Sequence, residues 1–230
     1  MFTLLRSQAL AAAVVAIGLM TAPIAALADT LTYNGYSLTN AKSVSITQPL
    51  NLTVNAGRIV LDNVQINNVG VADMNAWCID LNNTLAGMGT YGLGNYSNPT
   101  IAAQLNALLT GAATLDLSAD NNSAAMQVAI WKTVVTNFTM NTSSTNGAAI
   151  NTLSDTFRTN VTNGTWQASN TMQIVTLDPV PVNSTQRLVT LVPGSPPGNN
   201  TNIPEPASMA MIAVGLIGLG VARRRRRTVH

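Results

Sequence analysis

One cysteine and one glutamine carry the sharpest chemical signal in this chain. Cys78 is the sole cysteine among 230 residues. It stands between Trp77 and Ile79 in a strand-like segment, which predicts burial. Gln127 opens the run Gln127-Val128-Ala129-Ile130-Trp131. With Ile130, Trp131 and Val134 it falls on one helical stripe, at spacings of three and four. A buried amide costs about 1–3 kcal/mol unless its groups are hydrogen-bonded, so something must offset Gln127. If the Cys78 sulfur attacks the Gln127 amide and ammonia leaves, the product is an internal thioester. Burial would shield that bond from water until a partner's amine attacked it. Such chemistry is nucleophilic and is used once, for capture rather than turnover. Two other readings stay open. Free cysteine is among the most buried residue types, so Cys78 can be a small core residue and Gln127 a satisfied core amide. An odd cysteine in an exported chain can also form an intermolecular disulfide.

Other chemistry finds few residues to run on. The only histidine is His230, and the only glutamate is Glu205, so the body of the chain lacks the usual bases and imidazole ligands. No catalytic residue, metal site or cofactor is expected, and the protein is read as a non-enzyme. Gly87-Met88-Gly89-Thr90-Tyr91-Gly92 fits G-x-G-x-x-G, but no acidic residue follows at the required distance and no βαβ unit surrounds it. It is read as a flexible loop carrying Tyr91 and Tyr96. Asp116, Ser118, Asp120 and Asn122 sit two apart like calcium ligands. Asn121 replaces the central glycine, however, and Gln127 the bidentate glutamate. Asp120 or Ser123 is expected instead to cap the following helix. Trp77, Trp131 and Trp166 are expected in the core rather than on a sugar-stacking face.

The elements that position Cys78 and Gln127 are strands first, helices next, then strands. Between residues 31 and 70, apolar residues from Leu31 to Ile66 alternate with Thr, Ser and Asn, with turn signals at Asn34-Gly35 and Ala56-Gly57. Residues 76–83 read as a short strand ending in a polar turn. A helix starts at Asn98-Pro99, with its apolar stripe at Ile101, Leu105, Leu108 and Leu109 and its end near Gly111. A second helix runs from about Ser123 to Val135, and a third covers Ala148–Val161. Two strands follow, Met172–Leu177 and Arg187–Val192. The fold class is α+β: an antiparallel β-sheet or sandwich with a helical insertion, plus an N-terminal signal helix and a C-terminal transmembrane helix.

Both termini read as addresses. Arg6, the apolar run Ala9–Met20 and the small-x-small site Ala26-Leu27-Ala28 form a signal peptide over residues 1–28, cleaved after Ala28. The exported domain covers 29–192, and a Pro/Gly/Asn linker covers 193–203. The tail, 204–227, consists of Pro204-Glu205-Pro206, an uncharged stretch from Ala207 to Ala222, and Arg223, Arg224, Arg225, Arg226 and Arg227. Sixteen helical residues span roughly 24 Å. Snorkelling arginines and local thinning cover the difference from a bilayer core of about 30 Å. The arginines should stay cytoplasmic, which puts the body outside the inner membrane. The formal net charge of +2 therefore misleads. Between Asp29 and Ile203 five cationic side chains face eight aspartates. That acidic body has no basic face for nucleic acid.

Two resemblances rest on these residues. Pro204-Glu205-Pro206, the apolar helix and the arginine cluster resemble the tails of PEP-CTERM proteins of Gram-negative bacteria. The resemblance implies sorting by an exosortase, transient residence in the inner membrane, transfer to the envelope or extracellular matrix, and association with exopolysaccharide or biofilm. Trp77-Cys78-Ile79 and Gln127 to Trp131 resemble the two motifs of thioester domains in bacterial surface adhesins, with Met126 at the place of that family's threonine. This implies a covalent site at Cys78 and Gln127 for an amine-bearing surface ligand. The alternative is a structural exopolysaccharide- or biofilm-associated protein without covalent chemistry.

Overall fold

Alternation between small polar and branched apolar residues produces the first long hairpin. In β2 (Tyr36–Gln48) Val44 and Ile46 are buried while Ser43, Ser45 and Thr47 face outward or toward the rim. In β3 (Leu52–Leu61) Ala56, Ile59 and Leu61 point into the core. The chain is described by a computed structural model over residues 29–119 and 121–194. The signal segment with Ala26 and Ala28, most of the linker, and the tail with its transmembrane helix lie outside the described residues. Among the described residues no helix is long and apolar enough to cross a membrane.

The remaining strands are β1 (Thr30–Asn34), β4 (Gln65–Ile66), β5 (Val69–Gly70), β6 (Met74–Cys78), β7 (Met88–Gly94), β8 (Thr139–Met140), β9 (Met172–Pro179) and β10 (Leu188–Pro193). They form a ten-stranded sheet in the order β5-β4-β1-β7-β9-β10-β6-β3-β2-β8. Every pairing is antiparallel. The expected α+β class with an antiparallel sheet thus holds, as one sheet whose edge strands have two residues each. The helices α1 (Pro99–Ala112), α2 (Asn122–Val134) and α3 (Thr145–Thr162) lie between β7 and β9 in the chain, as an insertion.

α1 starts as its sequence dictates. Asn98 accepts from the backbone N–H groups of Thr100 and Ile101, and Pro99 occupies the first turn. α2 differs from an ordinary amphipathic helix, because every residue from Ser123 to Trp131 is buried. A helix apolar on all sides must be covered on all sides. The covering comes from β2, β3 and β6, and from α1 and α3. Ala124, Ala125 and Ala129 keep the helix narrow enough for that approach, and alanine is also the strongest helix former.

The structure corrects three local expectations. Residues Gly87–Gly94 are not a flexible loop: Met88–Gly94 is a central strand paired with β1 and β9, and Tyr91 is fully buried. Its glycines serve packing, since a Cβ on Gly89 would come within 2.9 Å of the Tyr33 ring. Ala56-Gly57 is not a turn. It sits inside β3, opposite the bulge that shifts the β2 register between Thr39 and Lys42. Here the bulged strand crowds Gly57, where a Cβ would lie 2.9 Å from the Ala41 Cα. Finally, Ser123 does not cap α2. The cap position belongs to Asn121, in a left-handed conformation and without a side-chain cap bond. Ser123 is engaged elsewhere, as described below; Asp120 lies outside the described residues.

Gly57→Ala should therefore lower the unfolding free energy by about 1–3 kcal/mol, because the added methyl meets backbone. Gly87→Ala, with nothing within 4 Å of the added carbon, should stay within about 0.5 kcal/mol of the parent. Urea midpoints of the two variants check the contrast; equal midpoints would refute it.

A buried Cys–Gln pair as candidate functional site

Cys78 is the last residue of β6, the strand that joins the two halves of the sheet. Ala76 of this strand is paired with Ile59 of β3, and Cys78 is paired with Leu188 of β10. Ala76, Trp77 and Cys78 are all buried, because α2 lies across this part of the sheet. Beyond Cys78 the ladder to β10 stops after one further bond, from the Ile79 N–H to the Arg187 carbonyl.

Gln127 takes up what the strand leaves free. Its Oε1 accepts from the Cys78 N–H at 3.0 Å, and its Nε2 donates to the Cys78 carbonyl at 2.8 Å. The amide thus acts like the backbone of one more paired residue. It brings the Gln127 side chain onto the residue that carries the thiol. Both side chains are sealed: Cys78 is 3% exposed and Gln127 is 1% exposed.

The bond from Gln127 is one of a series along α2. One turn earlier, the Ser123 hydroxyl accepts from the Arg58 N–H at 2.8 Å and donates to the Thr39 carbonyl at 2.6 Å. Thr39 and Arg58 are the paired residues at which the β2 register shifts. One turn later stands Trp131, 2% exposed, stacked at 5.9 Å on Phe138. Its indole N–H is buried and makes no hydrogen bond. Residues at i, i+4 and i+8 share one helix face. That spacing was readable in advance for Gln127 and Trp131; the hydroxyl of Ser123 was instead mistaken for a cap.

The thiol itself donates to the Asp80 carbonyl. The segment after it is folded by the Asp80 carboxylate, which accepts from the Asn82 N–H at 2.7 Å and from the Asn83 side-chain amide at 2.6 Å. Gln186 Nε2 also donates to the Asp80 carbonyl, and Tyr91 Oη holds the Gln186 carbonyl at 2.9 Å. No sequence pattern pointed to Gln186. A cavity of about 530 Å³ opens beside the pair, with Tyr36, Leu38, Leu81, Leu85, Trp131 and Gln186 in its wall. None of its lining side chains is charged.

Burial pushes the Cys78 thiol up to about 12. The Asp80 backbone and the Trp131 indole pull in the opposite direction, and the Asp80 carboxylate adds to the rise. Tyr91 is raised as well, chiefly by burial. The calcium-like spacing at Asp116 does not present ligands. The carboxylate turns onto its own loop, accepting from the Ser118 hydroxyl at 2.6 Å and from its N–H at 2.9 Å. Those bonds, the hydroxyl first, lower the carboxyl's pKa. No cluster of three His, Cys, Asp or Glu side chains occurs among the described residues. Trp77 and Trp131 are core residues, and Trp166 packs at 5.1 Å from Phe157.

Comparison with known proteins identifies the tail. Residues 202–227 are a PEP-CTERM protein-sorting motif. The match spans Pro204-Glu205-Pro206 and all five arginines from Arg223 to Arg227. Such a motif implies export, a transient membrane anchor and sorting to the cell surface by an exosortase. No curated protein sequence matches the chain. Among solved structures, the body bears a weak resemblance to the N-terminal domain of the Streptococcus pyogenes pilus tip adhesin Cpa. The identity is 12%, the TM-score 0.42, and the alignment covers 72% of this chain and 94% of that one.

The burial of Cys78 makes a pH prediction for the protein in its thiol form. The folded pKa of about 12 lies above the ordinary 9.0. The stability gained by holding the thiol neutral is therefore complete below pH 9.0 and is lost as pH rises toward about 12. Unfolding free energies of the parent and Cys78→Ala should run parallel below pH 9.0 and converge above it. Curves that stay parallel throughout would refute the assigned burial effect.

Proposed function

We propose that the chain is a surface or matrix protein whose body captures an amine-bearing partner through a thioester between Cys78 and Gln127. The observation that carries this reading is the pairing itself. The residue that carries the only thiol of the protein is bound through its backbone N–H and carbonyl to the buried Gln127 amide by two hydrogen bonds, beside a cavity through which a nucleophile can arrive.

The bond follows from the arrangement by a balanced exchange. The Sγ–Cδ bond forms, the Cδ–Nε2 bond breaks, and the thiol proton leaves with the nitrogen as ammonia. The oxygen that gains charge is Gln127 Oε1, and it already accepts from the Cys78 N–H. A donor fixed at that oxygen stabilises the tetrahedral state with no reorganisation. An amine then attacks the same carbon, the sulfur leaves, and the partner is held by an amide. The body is spent in the event, so the protein is a binder and not an enzyme. On this reading the body lies outside the inner membrane, with the arginines on the cytoplasmic side as clustered cations favour, before the exosortase releases it to the envelope.

A second reading is favoured by the same two hydrogen bonds. They give both ends of the Gln127 amide a partner, so a structural exopolysaccharide- or biofilm-associated protein needs nothing more from these residues.

Intact mass decides between them. The full-length chain in detergent should be about 17 Da lighter than its sequence mass, the loss of ammonia on thioester formation. Methylamine should abolish that deficit by adding across the bond, and Cys78→Ala should never show it. An undiminished mass, with Cys78 alkylated once the chain is unfolded, would sink the capture reading and leave the structural one.

A further inference from the structure

Trp131 is the loose end of the site. Ser123 and Gln127, on the same face of α2, each satisfy two backbone groups of the sheet. Trp131 follows at the same spacing, yet its indole N–H is buried with no hydrogen bond. Among the described residues it is the only buried side-chain polar atom in that condition. Native structures pair nearly all buried polar groups, so an idle buried donor calls for an explanation. The ring lines the same cavity as Cys78 and Gln127. Sharing that wall puts the indole beside Cys78, where a hydrogen bond from its N–H would favour the sulfur's anion.

A neutral thiol or thioester sulfur is a weak acceptor, so little is gained by bonding to it. A thiolate is a strong one, and charge-assisted bonds are roughly twice as strong as neutral ones. The donor is therefore placed where it contributes when the sulfur becomes negative and contributes little before.

We propose that Trp131 is the positioning residue for the Cys78 sulfur: its buried indole N–H, unpaired in the resting site, donates to the sulfur as that atom departs with negative charge. The catalytic consequence rests on the thioester reading. When an amine attacks Gln127 Cδ, the Cδ–N bond forms and the Cδ–Sγ bond breaks. The electron pair goes to sulfur, and the proton shed by the amine ends on it. Two N–H donors then divide the labour. The backbone N–H of Cys78 holds the oxygen, and the indole N–H of Trp131 holds the leaving sulfur. Trp131 thereby favours opening by nucleophiles that expel the thiolate without a general base, which this uncharged cavity does not supply.

The test uses the full-length chain in detergent and the variants Trp131→Phe and Trp166→Phe. Phenylalanine keeps an aromatic ring against Phe138 and removes the donor together with the second ring of the indole, a loss of volume that Trp166→Phe shares. Trp166 packs on Phe157 and Gly111 and controls for the loss of an indole. Methylamine opening, followed by mass, should be roughly tenfold slower in Trp131→Phe and unchanged in Trp166→Phe. Equal opening rates in the parent and Trp131→Phe would overturn the inference while leaving the thioester intact.

If the parent shows no mass deficit, the thioester reading fails and the donor is judged on the thiol. Alkylation of Cys78 near pH 10 should then be slower in Trp131→Phe, and an equal or faster rate overturns the inference. Should Trp131→Phe not fold, the indole N–H resonance of Trp131 replaces it, assigned by elimination with Trp77→Phe and Trp166→Phe. That resonance should shift when Cys78 is ionised or the thioester is opened. A resonance indifferent to both overturns the inference.

Discussion

A strand that ends in the core leaves backbone groups that must be paired, and this constraint organises the molecule around Cys78. β6 pairs with β3 only as far as Ala76, and its ladder to β10 ends one bond past Cys78. Water cannot reach the exposed N–H and carbonyl, because α2 covers them. The Gln127 amide is the one group in reach with a donor and an acceptor at the right separation. Leaving both backbone groups unpaired would cost about 1–3 kcal/mol each, a large share of a typical domain's total stability. α2 must therefore keep its rotation and its height on the sheet. Once these are fixed, Ser123 meets the β2 bulge and Trp131 meets the sulfur.

Much of this frame was legible in the sequence, for identifiable reasons. Burial of Cys78 followed from its flanks Trp77 and Ile79, and burial of Gln127 from its place between Ile130, Trp131 and Val134. The Asn98-Pro99 start of α1 was legible because both residues act locally. That Cys78 and Gln127 touch was not contained in any periodicity; only the resemblance to adhesin motifs suggested it. The failures share one cause. Gly87–Gly94 and Ala56-Gly57 were read as loop and turn because glycine usually signals backbone freedom. Here glycine gives clearance, to the Tyr33 ring and to the bulged backbone at Ala41. Ser123 was misjudged in the same way, since a hydroxyl at a helix start usually serves its own helix. Long-range partners outcompeted local ones at each of these positions, and such partners leave no local signature.

The electrostatic setting of the pair is unusual for a reactive thiol. Reactive cysteines commonly sit near cations or helix N-termini that stabilise the thiolate. Cys78 instead meets the middle of α2, away from its N-terminus, and lies beside the Asp80 carboxylate, and burial holds it protonated. Such a sulfur resists alkylation and oxidation. That resistance suits a residue of a protein sorted to the cell surface.

The pairing of Cys78 with Leu188 has a consequence in time as well as in space. Those residues lie far apart in the chain, and between them come β7, α1, α2, β8, α3 and β9. Contacts of such wide separation close late, after the intervening loop entropy has been overcome. A chain exported in an unfolded state carries Cys78 across the membrane long before Leu188 follows. The environment that seals the thiol thus assembles only when the C-terminal strands of the body have joined the sheet.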